Sequence, residues 1–235
     1  MSKHSLRSVA PPLWLLALTV SGVNIGMALL APAIPLLRDD LSATGDEAQL
    51  VLSSFLIMLG LGQLVAGSLS DTLGRRPVLL SGSLLFAIAG AAALVAPTIE
   101  LLILARAVQG FGASACMAVG RVIINDSFDR TEAGRQLSTI TMIQSIVPLM
   151  GFAGGGLISD FIGWRGSIGI MVVTAGVIFA ANLALLAETN QNRVPRAPLL
   201  KVMGIFVLLL RSREFMVHAS SGALLTAAYF ALGGF

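Results

Sequence analysis

An all-α integral membrane protein is the fold class this sequence predicts, and three observations point to it. The 235 residues are 56% hydrophobic and 11% charged, with a mean hydropathy of +0.89, which leaves too little polar surface to coat a water-soluble globule. The hydrophobic residues fall in runs close to the ~20 residues needed to cross a bilayer. Between the runs lie short segments rich in charge, glycine and proline, where water can reach groups that are costly next to hydrocarbon.

Residues 1–12 form a basic N-terminal segment carrying Lys3 and Arg7. The first run, Leu13 to Leu37, exceeds the roughly 7 to 15 residues of a signal-peptide core. It also contains Asn24, Pro32 and Pro35, so an uncleaved first spanning helix is expected. Further spans are expected near Ala48 to Ser70, Pro77 to Ala96, Leu101 to Ile124, Gln136 to Ile158 and Gly166 to Ala187. Residues 13–187 are thereby a six-helix transmembrane bundle. From 188 to 214 the composition turns to Asn, Gln, Arg and Pro, with an amphipathic stretch from Leu199 to Leu210 too short to span but suited to the interface. That segment reads as a cytoplasmic linker. A seventh apolar run begins at Phe215 and is still in progress at Phe235, so 215–235 is expected to be a truncated seventh helix opening a second bundle.

Basic residues set the orientation. With the N-terminus inside, the inner segments hold Lys3, Arg7, Arg75, Arg76, Arg121, Arg130, Arg135, Arg193, Arg196, Lys201, Arg211 and Arg213, whereas the outer ones hold Arg38 and Arg165. The expected location is the plasma (inner) membrane, multi-pass, with a cytoplasmic N-terminus and the lipid bilayer as the permanent partner. The same bias explains the net charge of +3 without nucleic acid, since the basic residues are spread through loops with no aromatic interleaving. Cys116 is the one cysteine and reads as a small packing residue. Neither His4 nor His218 has a metal-ligand or triad partner nearby in sequence, and no phosphate-binding glycine loop appears, so no metal, cofactor or enzymatic chemistry is expected.

The segment Gly67-Ser68-Leu69-Ser70-Asp71-Thr72-Leu73-Gly74-Arg75-Arg76-Pro77 is a polar hinge between the second and third spans. Asp71 ends one helix, Pro77 is expected at the first position of the next, and Gly74 must supply a turn conformation open to few other residues. Ten of these residues align without gaps on Gly156-Leu157-Ile158-Ser159-Asp160-Phe161-Ile162-Gly163-Trp164-Arg165. Three helices separate the copies, so they face opposite sides of the membrane, as in an inverted repeat of three helices plus three that places a binding site near the midplane.

This hinge resembles the loop signature of the major facilitator superfamily, G-x-L-[AS]-D-x-x-G-R-R-P, and the whole chain is most similar to the twelve-helix drug efflux group of Bcr/CflA type. The resemblance implies the major facilitator fold, of which this chain carries the N-terminal six-helix bundle, the linker and part of helix 7, with a C-terminal six-helix half missing. It implies that Gly67, Asp71, Gly74, Arg75 and Arg76 form a conformational latch that engages the opposite half. Thr72 stands where the family often has a basic residue. Gly120-Arg121-Val122-Ile123-Ile124-Asn125-Asp126 resembles the inner end of the fourth helix in efflux members, which makes Asp126 the expected partner of Arg75.

Arg106 is read as the charge inside a span, roughly 7 residues or about 10 Å into the fourth helix. It is expected to face the bundle interior and bond to carbonyls or a watery cavity. The bland alternative is an arginine that staples the first helix. Arg106, Gln109, Gly110 and Gly112 match the superfamily's R-x-x-Q-G-x-G pattern. With Asn24 and Gln144 they make up the candidate substrate and proton pathway. In the fifth helix Pro148, Gly151, Gly155 and Gly156 resemble a G-P-x-x-G-G antiporter pattern, although Phe152 stands where its proline belongs and Pro148 is expected to supply the kink. Efflux relatives place a carboxylate in the first helix, yet no Asp or Glu lies in the interior of the first six spans.

The resulting expectation is a secondary active transporter that exports small amphipathic molecules, drugs among them, by alternating access with proton antiport. The alternatives are a major facilitator that exports or imports a hydrophobic metabolite, and a half-size six-helix protein acting as a dimer, channel or sensor.

Overall fold

The computed structural model describes residues 10–190 and 211–232. Most of the expected linker, including Leu199 to Leu210, lies outside them. Among the described residues, helix α1 (Leu13–Leu30) runs into a 3-10 turn (Ala31–Ala33) and then α2 (Ile34–Asp40). Pro32 and Pro35 each sit in the first two positions of their segment, where a missing N–H breaks no internal bond. The first span is therefore jointed rather than straight. Helix α3 (Gly45–Leu73) opens with a reciprocal cap. Thr44 Oγ1 accepts the Glu47 N–H at 3.3 Å and the Thr44 N–H donates to Glu47 Oε2 at 2.8 Å. Helix α4 (Arg75–Leu94) follows after Gly74 alone, and α5 (Ile99–Ser127) starts from a Thr98 cap.

Helix α6 (Arg130–Leu185) contains 56 residues, which as one rod would be about 84 Å long, more than twice a hydrocarbon core of about 30 Å. It is two helices joined at Gly163, whose φ of 68° and ψ of 177° are non-helical. Its first part runs beside α1 in the same direction, Gln144 lying by Val20 and Gly155 by Leu29. Its second part returns, with Ile178 against Gly22 and Asn182 bonded to Thr19. Helices thus form where the fifth and sixth spans are expected, without the intervening loop that residues 159–165 suggest. Among the described residues five segments are individually long and apolar enough to cross a membrane: Leu13–Asp40, Gly45–Leu73, Arg75–Leu94, Ile99–Ser127 and Gly154–Leu185. Pro148 lies inside the first part of α6, and the chain leaves helical angles at Gly163. Residues 194–235 form a separate unit, in which α7 (Arg213–Leu232) is the described helix.

The inverted repeat is visible in the backbone. Gly74 (φ 110°) and Gly163 (φ 68°) are the described glycines with positive φ, and they occupy the same position of the two copies. One glycine turns the chain at each site because a side chain is strained there. The paired serines match as well, Ser70 Oγ donating to Gly67 O at 2.8 Å and Ser159 Oγ to Gly156 O at 2.9 Å.

Three apolar layers stack along the bundle. Leu16, Val20, Leu79, Val119 and Ile123 fill the end nearest Gly74. Val23, Phe55, Phe86, Cys116, Met171 and Ile178 fill the middle, and Leu37, Val51, Leu102, Trp164 and Ile168 the far end. Hydrocarbon offers no hydrophobic drive between helices, so close backbone approach matters more. A Cβ added to Gly110 would lie 2.2 Å from the Phe55 carbonyl oxygen of α3, and one on Gly112 would lie 2.6 Å from the Phe86 nitrogen of α4. Neither neighbour can rotate away. Gly110→Val is expected to cost at least the ~1–3 kcal/mol of an overpacked core, read as a smaller monodisperse fraction after heating in detergent. Unchanged heat resistance would show that α3 and α5 can separate freely at this point.

Candidate functional site

The α3–α4 hinge is a closed knot of polar contacts. Arg75 is 8% exposed. Its Nε donates to Asp126 Oδ2 at 2.9 Å, its Nη1 donates to Ser70 Oγ at 2.9 Å, and the same nitrogen bonds to the Asp71 carboxylate. The helix ends explain the arrangement. Asp71 comes from the last turn of α3 and Asp126 from the last turn of α5, so two acids converge on one guanidinium that starts α4. The structure thus brings together Asp71, Arg75 and Asp126, three of the residues singled out in sequence, within one bundle. Gly67 has open space around it and contributes a carbonyl rather than a tight fit.

Helix α4 begins at Arg75, so Pro77 sits third in the helix and not first. The reason is a cap from a distance: the Arg75 backbone N–H donates to Glu188 Oε1 at 2.9 Å, doing what Gly74 has no side chain to do. Asn190 Nδ2 donates to the carbonyls of Ser70 and Asp71 at 3.3 and 3.1 Å, satisfying the end of α3. Arg76 donates to Leu186 O at 2.7 Å and Leu183 O at 3.0 Å, the free carbonyls closing α6. Glu188 and Asn190 read as linker in the sequence, yet both belong to this knot. Their separation from the hinge by more than a hundred residues hides them from any local pattern.

Arg106 lies in the middle of the bundle, completely buried. Its Nη1 donates to Gln109 Oε1 at 2.7 Å, its Nε reaches Val51 O at 3.4 Å, and its guanidinium sits 4.3 Å above the Phe55 ring. Sulfur atoms of Met171 and Met27 lie at 3.4 and 3.9 Å. The side chain therefore touches α1, α3 and the second part of α6 together. No carboxylate pairs with it among the described residues. Gln109 Nε2 is buried and unsatisfied.

Asn24 and Gln144 occupy a different place, on the half-buried faces of α1 and α6. Gln144 Nε2 donates to Val20 O at 3.2 Å, and Gln144 Oε1 accepts from Arg121 Nη2 at 3.1 Å. The four residues of the expected pathway thus split into a buried pair, Arg106 with Gln109, and an open group in which Gln144 meets Arg121. Arg121 was counted above with the inner loop charges, but it is six residues inside the end of α5. The signal was present, since the expected run from Leu101 to Ile124 already enclosed it.

Pro148 is buried within α6. Gly151 and Gly155 lie where α6 meets α1, their added Cβ atoms falling 2.4 Å from Ala28 Cβ and 2.8 Å from Leu29 O. Gly156 faces open space. Close packing against α1 accounts for two of these three glycines.

On the opposite end of the bundle the repeat builds a second polar cluster. Trp164 Nε1 donates to Asp40 Oδ2 at 2.9 Å and Arg165 Nη1 to the same oxygen at 2.5 Å. Asp40 ends the first span as Asp126 ends the fourth, so each cluster joins a helix-ending acid to the residues just after a turning glycine.

A family model described as Major Facilitator Superfamily matches residues 16–235. The chain is 33% identical over 176 residues to a chloramphenicol resistance protein of Pseudomonas aeruginosa, covering 73% of this chain and 41% of that protein. It is 31% identical over 189 residues to multidrug resistance protein D of Escherichia coli K12, covering 80% of this chain and 48% of the relative. The chain thus spans about half the length of the curated relatives it matches. Among solved structures, a crystal structure of a mutant peptide transporter POT in complex with sulfate superposes with a TM-score of 0.70 at 17% identity. That match covers 100% of this chain and 51% of the transporter.

Proposed function

This chain belongs to the Major Facilitator Superfamily, and we propose that it exports small amphipathic molecules, drugs among them, across the plasma membrane in exchange for protons. It is a multi-pass membrane protein of a transporter family. Relatives over most of its length carry multidrug and chloramphenicol resistance names, which supports efflux as the direction. In this reading the N-terminus is cytoplasmic, the described bundle rocks against a second six-helix half, and the hinge knot at Gly74 is the latch at the cytoplasmic end.

The observation that carries the reading is the Arg75 knot. Two part-exposed carboxylates, 50% and 29% accessible, share one largely buried guanidinium. A cation with two competing acids can trade one for another without being left unpaired, which suits a switch better than a permanent brace. Among the described residues the carboxylates of α1 and α3–α6 lie in the first or last turn of a helix or just before the turn at Gly163, so a proton carried by this half resides at a helix end, with Asp71, Glu100 and Asp126 the candidates.

The test is expression of the whole protein in an efflux-deficient bacterium, with chloramphenicol tolerance and dye extrusion measured with and without a protonophore. Raised tolerance abolished by the protonophore is the expected result. Tolerance equal to the empty vector, with the protein present in the membrane, would overturn efflux. Extrusion that survives the protonophore would overturn proton coupling alone.

A further inference from the structure

We propose that Arg121, with Gln144 and Asn24, forms a subsite for an oxyanion, so that amphipathic molecules bearing a carboxylate or sulfonate group are among those carried and are held through this site. This rests on the export reading above and adds the substrate class.

Four observations carry it. Arg121 lies within α5 with its side chain exposed, and its Nη2 is held by Gln144 Oε1 at 3.1 Å. Gln144 is itself oriented, since its Nε2 donates to Val20 O at 3.2 Å. The amide cannot turn over without losing that bond, so its oxygen stays on the arginine. The Nε and Nη1 of Arg121 have no partner among the described residues, and because Nη2 carries two protons and Gln144 takes one, one forked edge, Nε with Nη2 or Nη1 with Nη2, stays open to a two-pronged oxyanion.

The second observation is where the group sits. A Cβ on Gly120 would lie 2.6 Å from Val20 Cγ2, so α5 and α1 touch at the level of Arg121. Asn24 is one turn beyond Val20 on α1, half-buried and without a bonded partner among the described residues. An open amide, a part-free guanidinium and an oriented glutamine come from three helices within about one helical turn of one another along the bundle. Met117, one turn before Arg121, is a partly buried apolar neighbour, as an amphipathic guest requires.

The third is the balance of charge. In α1 there is no acid between Leu13 and Leu30; α5 has Glu100 in its first turn and Asp126 in its last; and α6 has Glu132 in its first turn and Asp160 beside Gly163. Asp126 is already engaged by Arg75. The fourth is Arg106, a second guanidinium in α5 with no carboxylate partner among the described residues. Two cations without acids give this half a positive interior, which attracts an anionic guest and repels a cationic one.

The experiment uses the whole protein in proteoliposomes with two xanthene dyes of opposite charge, carboxyfluorescein and rhodamine 6G, together with carboxyfluorescein binding in detergent. Wild type is expected to move and bind carboxyfluorescein. Arg121→Gln is expected to lower the ratio of carboxyfluorescein to rhodamine 6G transport at least tenfold and to weaken carboxyfluorescein binding about tenfold, whereas Arg121→Lys keeps most of both. A loss in Arg121→Gln that is equal for both dyes would overturn the proposal and leave Arg121 a structural support of Gln144. So would wild-type export of rhodamine 6G or chloramphenicol with no binding of carboxyfluorescein. If wild type transports none of the three yet binds carboxyfluorescein through Arg121, the subsite stands and the export reading falls.

Discussion

Arg106→Met is expected to abolish transport while the protein still inserts and keeps its helix content. Methionine replaces most of the volume, so the packing loss is small. The loss of the guanidinium is not. It leaves the fully buried Gln109 Oε1 without its 2.7 Å donor and removes the group over the Phe55 ring. The cation–ring contact alone is worth about 0.5–2 kcal/mol. More important for mechanism, one rigid fork ties α1, α3, α5 and the second part of α6, which then have to move as a body. Arg106→Lys is expected to rescue poorly, because a single ammonium cannot present donors in several directions from one plane. The measurements are drug tolerance in cells and circular dichroism of the purified protein. Wild-type tolerance in Arg106→Met would reduce Arg106 to a space-filling staple.

The hinge variants are expected to follow a different order. Arg75→Gln leaves Asp71 and Asp126 facing one another without the cation between them, so it is expected to slow turnover more than tenfold. Breaking a shared pair by removing one partner costs far more than the pair is worth intact, because the remaining charge is uncompensated. Asp71→Asn removes the half-exposed partner, 50% accessible against 29% for Asp126, and is expected to slow turnover severalfold with substrate affinity within a few-fold. Adding Asp126→Asn to Arg75→Gln is expected to restore part of the rate, since one like charge is then gone, and the size of that recovery measures the coupling. Turnover unchanged in both single variants would remove the latch from the mechanism. Equal losses in Arg75→Gln and in the double variant would mean that Arg75 acts through its bond to Ser70 and not through the acids.

Much of this was legible in the residues because membrane solvation is a coarse and unforgiving selector. Helices of membrane length, the turn at Gly74, the repeat centred on Ser159 and Gly163, and the meeting of Arg75 with Asp126 all follow from apolar length, from glycine's backbone freedom, or from the resemblance of short motifs. Boundaries were less legible. Pro77 was expected to open α4, but Glu188 caps that helix from the far end of the bundle and lets it start at Arg75. The expected loop over residues 159–165 reduces to Gly163, whose positive φ folds α6 back within the helix. Arg121 passed for a topological charge because a sequence shows that a residue is basic but not what its side chain meets.

The sequence alone determined that this chain belongs in a membrane, which apolar runs become helices, and where the two repeated glycine turns lie, because those depend on local hydropathy and on backbone sterics within a few residues. Only the tertiary structure decided that Arg106 is sealed among three neighbouring helices while Arg121 is open, and that Glu188 and Asn190 belong to the hinge. Those outcomes depend on which helix faces are brought together, and that is set by close contacts such as Gly110 on Phe55 and Gly120 on Val20 between residues far apart in the chain.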